Sequence, residues 1–226
     1  MTVKPREIIG RTRMPDGTEL TLIHHVSELV IEAGGQLLMS SRRHGSEDAL
    51  ATLGCSRARA LEEPRVLIGG LGMGFTLRAA LDTLPPGARI VVAELVPAVV
   101  EWNRGPLGPL AGHPLDDPRV HVDIGDVGAT LRSSPRGFDA VLLDVDNGPA
   151  ALCAPGNAGL YTEHGIATAR ASLRPDGVLA IWAAADVRQF GRRLRTAGFD
   201  VVTERVKSHR GKSGGRHSIL VAHVTA

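Results

Sequence analysis

VLIGGLGMGFTLR, Val66–Arg78, is the stretch on which the fold turns. An apolar run gives way to glycines at Gly69, Gly70, Gly72 and Gly74, and then to residues that continue as a helix. Glycines after a strand let the backbone turn tightly and bring its N–H groups close to a ligand. In an open α/β sheet such a turn lies beyond the carboxyl end of its strand, where ligands bind. A glycine turn alone is also compatible with a plain tight turn, so its meaning depends on what surrounds it.

Outward from this turn, the chain from Arg65 alternates strand and helix. Strands are predicted at Val66–Gly69, Arg89–Leu95, Val120–Ile124, Ala140–Asp144 and Gly177–Ala183. Helices are predicted at Thr76–Thr83, Pro97–Arg104, Val127–Arg132, Thr162–Leu173 and Val187–Ala197. Near-continuous apolar runs such as AVLLD and VLAIW are those of a parallel sheet buried on both faces. Two last runs, FDVVTERV and HSILVAHV, predict a closing antiparallel pair.

Before Arg65 the pattern differs. From Glu7 to about Ser40, short strand-like runs are separated by Asp16-Gly17 and Gly34-Gly35, both hairpin signals. Helix formers follow in GSEDALATLGCSRARALEE, with Ser46 as the expected N-cap and Gly54 interrupting a first helical segment. The expected fold class is therefore α/β: a doubly wound, Rossmann-like, mostly parallel sheet with an antiparallel last strand, behind a small N-terminal antiparallel β domain. The expected division is residues 1–60 for the small β domain with its linking helix, and 61–226 for the ligand-binding domain.

Acidic residues fall at the ends of three successive strands. Glu94 closes VVAEL, where such folds place an acid on ribose hydroxyls. Asp126 follows the third strand, near where an adenine would sit, and also has the position of a helix cap. Asp144 and Asp146 end the fourth strand in VLLDVDNGP; an apolar strand seldom ends in two carboxylates without a polar task. The candidate ligand-binding residues are Gly70, Leu71, Gly72, Met73, Gly74, Glu94, Leu95, Asp126, Val127 and Asp144, and the candidate catalytic pair is Asp144 with Asp146. His44 and Tyr161 are weaker candidates for the rim, and Trp102 for packing beside adenine.

Taken in order, VLIGGLGMG, VVAEL, DPRVHVDIGDV, FDAVLLDVDNGP, LYTEHG and LRPDGVLAIW resemble the spermidine synthase group within the class I S-adenosylmethionine-dependent transferase fold. The resemblance implies an adenosyl-sulfonium ligand, with Glu94 on the ribose, Asp126 near adenine and Asp144 or Asp146 facing the sulfonium and the acceptor. It also implies a homodimer. Three positions depart from the group's pattern. Met73 stands where a GGGDGG-type loop has its aspartate, although Arg78 matches the arginine after the loop. The acceptor-site tyrosine falls near Gly45, leaving Glu47 in register, and the acidic loop is shortened to DVDNGP. These departures lead us to expect methyl transfer from S-adenosylmethionine to a small acceptor. The alternative is aminopropyl transfer from decarboxylated S-adenosylmethionine; a third reading is an adenosyl-metabolite binder without turnover.

Composition narrows the partners. A net charge of +2 over 226 residues points to no polyanion, and 3% aromatic residues offer no base-stacking platform, so nucleic acid is not expected. The basic stretch between Arg205 and His217 would, at the ligand-binding edge, favour an anionic small-molecule acceptor. Cys55 and Cys153 form no metal or redox spacing, the histidines lack metal-ligand spacing, and no apolar run reaches the ~18 residues of a membrane span. A soluble cytoplasmic protein with no metal is expected.

Overall fold

A computed structural model describes residues 6–145, 158–184, 187–207 and 216–225. Four strands, β1 (Arg6–Arg13), β2 (Glu19–His25), β3 (Glu28–Ala33) and β4 (Gln36–Ser40), form an antiparallel meander in chain order. Gly17, Gly34 and Gly35 all have positive φ in the two turns that the glycine pairs predict. The turn between β2 and β3 carries no such signal: Val26, a β-branched residue, takes φ 61° there.

The second sheet has seven strands: β5 (Arg65–Gly69), β6 (Arg89–Glu94), β7 (Val120–Ile124), β8 (Phe138–Leu143), β9 (Leu173–Ala183), β10 (Phe199–Lys207) and β11 (Arg216–Val224). Their spatial order is β10-β11-β9-β8-β5-β6-β7. Pairings from β9 through β7 are parallel, whereas β11 runs antiparallel to both β9 and β10. The chain order reverses at β5, which has β6 on one side and β8 on the other. Such a switch point opens a crevice at the strands' carboxyl ends.

Successive residues of each strand serve opposite layers, as a period of two requires. Val66, Ile68, Ala140, Leu142, Val178 and Ala180 pack into one layer of the core together with Leu20, Leu22 and Ile31 of the small sheet. Leu67, Val141, Leu143, Leu179 and Ile181 pack into the other, with Val127 and Leu131 of α4 (Val127–Ser133), Ile166 of α5 (Glu163–Ser172) and Phe190 of α6 (Arg188–Thr196). Helix α1 (Gly45–Gly54) lies on the first side, where its neighbours are the large sheet and α2 (Phe75–Thr83). Helix α3 (Pro97–Arg104) follows β6 and buries Val99, Val100 and Trp102. The small sheet and α1 therefore share the face that leads to the crevice.

One local expectation fails. The N-cap of α1 is His44, without a side-chain cap bond, and Ser46 lies inside the helix. Its hydroxyl is engaged elsewhere, as described below. Among the described residues no helix is long and apolar enough to cross a membrane.

Candidate functional site

The glycine turn after β5 is held open by geometry that only glycine tolerates. Gly70 has φ +85°, and a Cβ there would stand 2.5 Å from the Asp144 carbonyl oxygen. A Cβ on Gly72 would stand 2.8 Å from the Met39 methyl of β4. Asn103 of α3 fixes the turn from behind by donating to the carbonyls of Gly72 and Val99, both at 2.9 Å. Asn103 carries no sequence signal as a site residue; only its place on α3 reveals the role.

Around this turn lies a pocket of about 1030 Å³, measured out to its open mouth. It is lined by Gly70, Gly72, Glu94, Leu95, Asp126, Val127 and Asp144 from the strand ends, and by Met14, Leu38 and Met39 from the small sheet. Glu47 and Trp182 complete the polar side. The acids that the sequence places at separate strand ends thus reach one cavity. Leu71, Met73 and Gly74, also expected at the ligand, are not among its lining residues. Leu71 and Met73 are buried in the core, 4% and 1% exposed. Gly74, with φ 83°, is the N-cap of α2. The positive φ values of Gly70, Gly72 and Gly74 turn the glycines toward ligand space and send the two intervening side chains into the core. Met73 is therefore not an apolar replacement facing the ligand; the thioether that comes against the glycine turn is Met39.

The acids are held in two different ways. Glu94 takes the backbone N–H of Leu71 on one oxygen at 2.8 Å and that of Val96 on the other at 2.9 Å. Burial pushes its carboxyl above the usual range, and those amides oppose the shift. Asp126 is the N-cap of α4, accepting from Gly128 and Ala129 at 3.0 Å each. Its reading as a helix cap and its place in the pocket wall hold together. Asp144 accepts the Thr76 hydroxyl at 2.8 Å, and burial raises it to about 6. Glu47, 9% exposed, accepts the Ser46 hydroxyl at 2.6 Å. Burial first, and then the charge of Asp144, raise it to about 7. Two carboxyls raised toward neutrality, both by burial and Glu47 also by the charge of Asp144, face the same cavity, and an ammonium between them would relieve both.

Asp146, expected as a catalytic partner, lies outside the described residues, as do Cys153 and most of the basic stretch that joins β10 to β11. His44 stacks on Phe75 with ring centres 4.2 Å apart and approaches Asp48 at 3.2 Å. Tyr161 meets Phe190 edge to face at 5.6 Å, on the opposite side of the large sheet. Trp102 is buried in the core. Cys55 is buried too, and desolvation pushes its thiol up to about 12, far from a reactive thiolate.

Residues 47–187 match the Spermine/spermidine synthase domain family. The chain is 37% identical over 121 residues, 52% of its length, to a polyamine aminopropyltransferase of Mycobacterium tuberculosis. It is 37% identical over 125 residues to polyamine aminopropyltransferase 2 of Pseudomonas aeruginosa. These matches span only 22% and 34% of those relatives' own lengths. Among solved structures, a spermidine synthase in complex with the transition-state analogue AdoDATO superposes with a TM-score of 0.77 at 20% identity, covering 96% of this chain and 74% of that one. The spermidine synthase of Thermotoga maritima gives 0.75 at 20%, over 96% and 72%. At that identity the superposition speaks for the fold: the small antiparallel sheet and the mostly parallel sheet behind it. The family match rests on the region that carries Glu47, the glycine turn and the strand-end acids, and this chain belongs to the spermine/spermidine synthase domain family.

Proposed function

We propose that the protein transfers an aminopropyl group from decarboxylated S-adenosylmethionine to a small amine acceptor. One observation carries this reading. Every ionisable side chain among the described residues lining the pocket is a carboxylate: Glu47, Glu94, Asp126 and Asp144. Both donors carry an ammonium and a sulfonium, but S-adenosylmethionine adds a carboxylate of its own, which this lining would repel. At an effective dielectric of ~20, charges ~5 Å apart interact by about 3 kcal/mol, enough to discriminate the two donors strongly. Methyl transfer, the first expectation, rested on three departures from the family pattern, and the first of them, Met73, lies buried in the core. The names of the curated relatives point the same way.

In this reading Glu94 meets the ribose hydroxyls and Gly70 and Gly72 give the adenosyl group close backbone approach. Leu95, Asp126 and Val127 border the adenine, and Asp144 with Glu47 holds the amines. When bound, the donor supplies a sulfonium that makes its aminopropyl carbon electrophilic. The chain's task is to align the acceptor nitrogen and to take its proton. The acceptor is a cation in this account rather than the anion expected from the basic stretch. A homodimer also belongs to this proposal, to be checked by light scattering on the purified protein.

Thermal shift with the two donors tests the reading directly. Decarboxylated S-adenosylmethionine is expected to stabilise the protein more than S-adenosylmethionine, and an aminopropylated diamine should appear by mass spectrometry. Equal or greater stabilisation by S-adenosylmethionine would overturn it.

A further inference from the structure

The opposite rim of the large sheet carries a second cavity, of about 1270 Å³ out to its open mouth, at the amino ends of β5, β6 and β7. Its charge is the reverse of the first pocket's. Every ionisable side chain in its lining is basic: Arg65, Arg89, Arg119 and His121. Four steps along β5 and five along β6, at ~3.3 Å each, set it about 15 Å from the glycine turn and Glu94, so the two cavities are separate.

The three arginines are held differently. Arg119 is neutralised by Asp117, which accepts its Nη2 at 2.8 Å and its Nε at 2.9 Å. It also donates to the carbonyls of Leu84 and Pro85 at 3.2 and 3.3 Å, and so forms a fixed wall. Arg65 and Arg89 are Cα partners at the first positions of adjacent parallel strands. Neighbouring strands lie ~4.8 Å apart, so two positive side chains start side by side, an arrangement that costs stability without a counter-charge. Among the described residues neither guanidinium has a carboxylate partner. Asp139 gives its Oδ2 to the backbone N–H of Arg65 at 2.7 Å and to the Arg174 guanidinium at 2.9 Å. The Arg65 guanidinium lies instead over Phe138, 5.7 Å from the ring centre. Glu63 passes beside Gly87 at the rim, exposed and outside the lining.

We propose that this groove binds an oligophosphate, a chain of two or more phosphate groups, free or carried by a nucleotide. Each guanidinium presents a planar fork of donors that matches two phosphate oxygens. Two forks side by side match oxygens on two linked phosphorus centres, which a lone carboxylate or a single phosphate does not offer. Arg119 walls one side, and His121, exposed on β7, supplies a further donor. The four acids of the first pocket repel the same ligand, so the two cavities sort anions from cations. This site is independent of the aminopropyl reading and stands or falls without it.

Calorimetric titration of the full chain with pyrophosphate, tripolyphosphate and ADP tests this, at an ionic strength of ~0.15 M where loose surface attraction is screened. Saturable binding of pyrophosphate is expected, with tripolyphosphate tighter and inorganic phosphate weaker. Arg65→Gln and Arg89→Gln should each weaken pyrophosphate binding by at least about 10-fold, the loss of a charge-assisted pair of hydrogen bonds. Arg89→Lys keeps the charge without the fork and should recover only part of it. Arg89 is exposed, so its variants should fold, and unchanged melting temperatures check that they do. ADP binding no tighter than pyrophosphate would identify the phosphate chain as all that is read. Tighter ADP binding, lost in the same variants, would identify a nucleotide. No saturable binding to the wild-type chain, or binding that both glutamine variants retain, would overturn the proposal.

Discussion

The two ends of the pocket treat their carboxylates differently. On the side of β6 and β7, Glu94 and Asp126 each spend both oxygens on backbone N–H groups, so the main chain fixes their position. On the side of α1 and β8, Glu47 and Asp144 each hold one side-chain hydroxyl, and burial, with the Asp144 charge beside Glu47, favours their protonated forms. Main-chain amides cannot be lost without unfolding, so acids tied to them are fixtures of the fold. Acids tied only to hydroxyls keep free lone pairs and change charge near neutral pH. One end is fixed and the other is responsive.

The largest expected effect comes from breaking the fixed end. Glu94→Ala leaves the buried N–H groups of Leu71 and Val96 without acceptors, at roughly 1–3 kcal/mol each. Denaturant unfolding should show a loss of about 4 kcal/mol, with adenosyl binding abolished in calorimetry. An unchanged unfolding midpoint would mean that the glycine turn does not depend on Glu94.

Next is the responsive end. Glu47 and Asp144 bind protons more tightly folded than unfolded, so the folded state holds more protons between about pH 4 and about pH 7. The ligand-free protein should therefore lose stability as pH rises through that window. Glu47→Gln should flatten the fall, and at pH 8 the variant should melt higher than wild type, by roughly 5 °C. A wild-type melting temperature that climbs from pH 4 to pH 7 would contradict the coupling.

The smallest effect is expected at Asp126. Asp126→Ala removes a helix cap, worth about 1 kcal/mol, and should weaken donor binding only modestly. Asp126→Asn keeps the capping oxygen, so it should recover most of the stability in the same melting experiment. A loss as large as that of Glu94→Ala would erase the gradient within the fixed end.

How much of this could be read in the sequence depends on distance along the chain. The large sheet was legible because its strands are apolar on both faces, and the strand-end acids because parallel strands deliver their carboxyl ends to one edge. The turn at Val26 was not, because no glycine or asparagine marks its positive φ. Met73 misled because its letter is visible and its direction is not; that direction follows from the φ values of Gly72 and Gly74. Ser46 has the composition of a cap, but its hydroxyl answers to His217 on β11. No local pattern contains such a pairing, and only the closed sheet makes it.

The placement of β11 between β9 and β10 also dictates an order of events. Strand β10 leaves the ribosome before β11, yet it has no place in the sheet until β11 has docked on β9. Until then β9 is an open edge, able to pair with another chain, and His217 has not reached Ser46. Glu94, Asp126 and Asp144 are all synthesised before β9, β10 and β11, the strands that complete this side of the sheet. That side of the pocket is thus completed last, when the final strand brings His217 to Ser46.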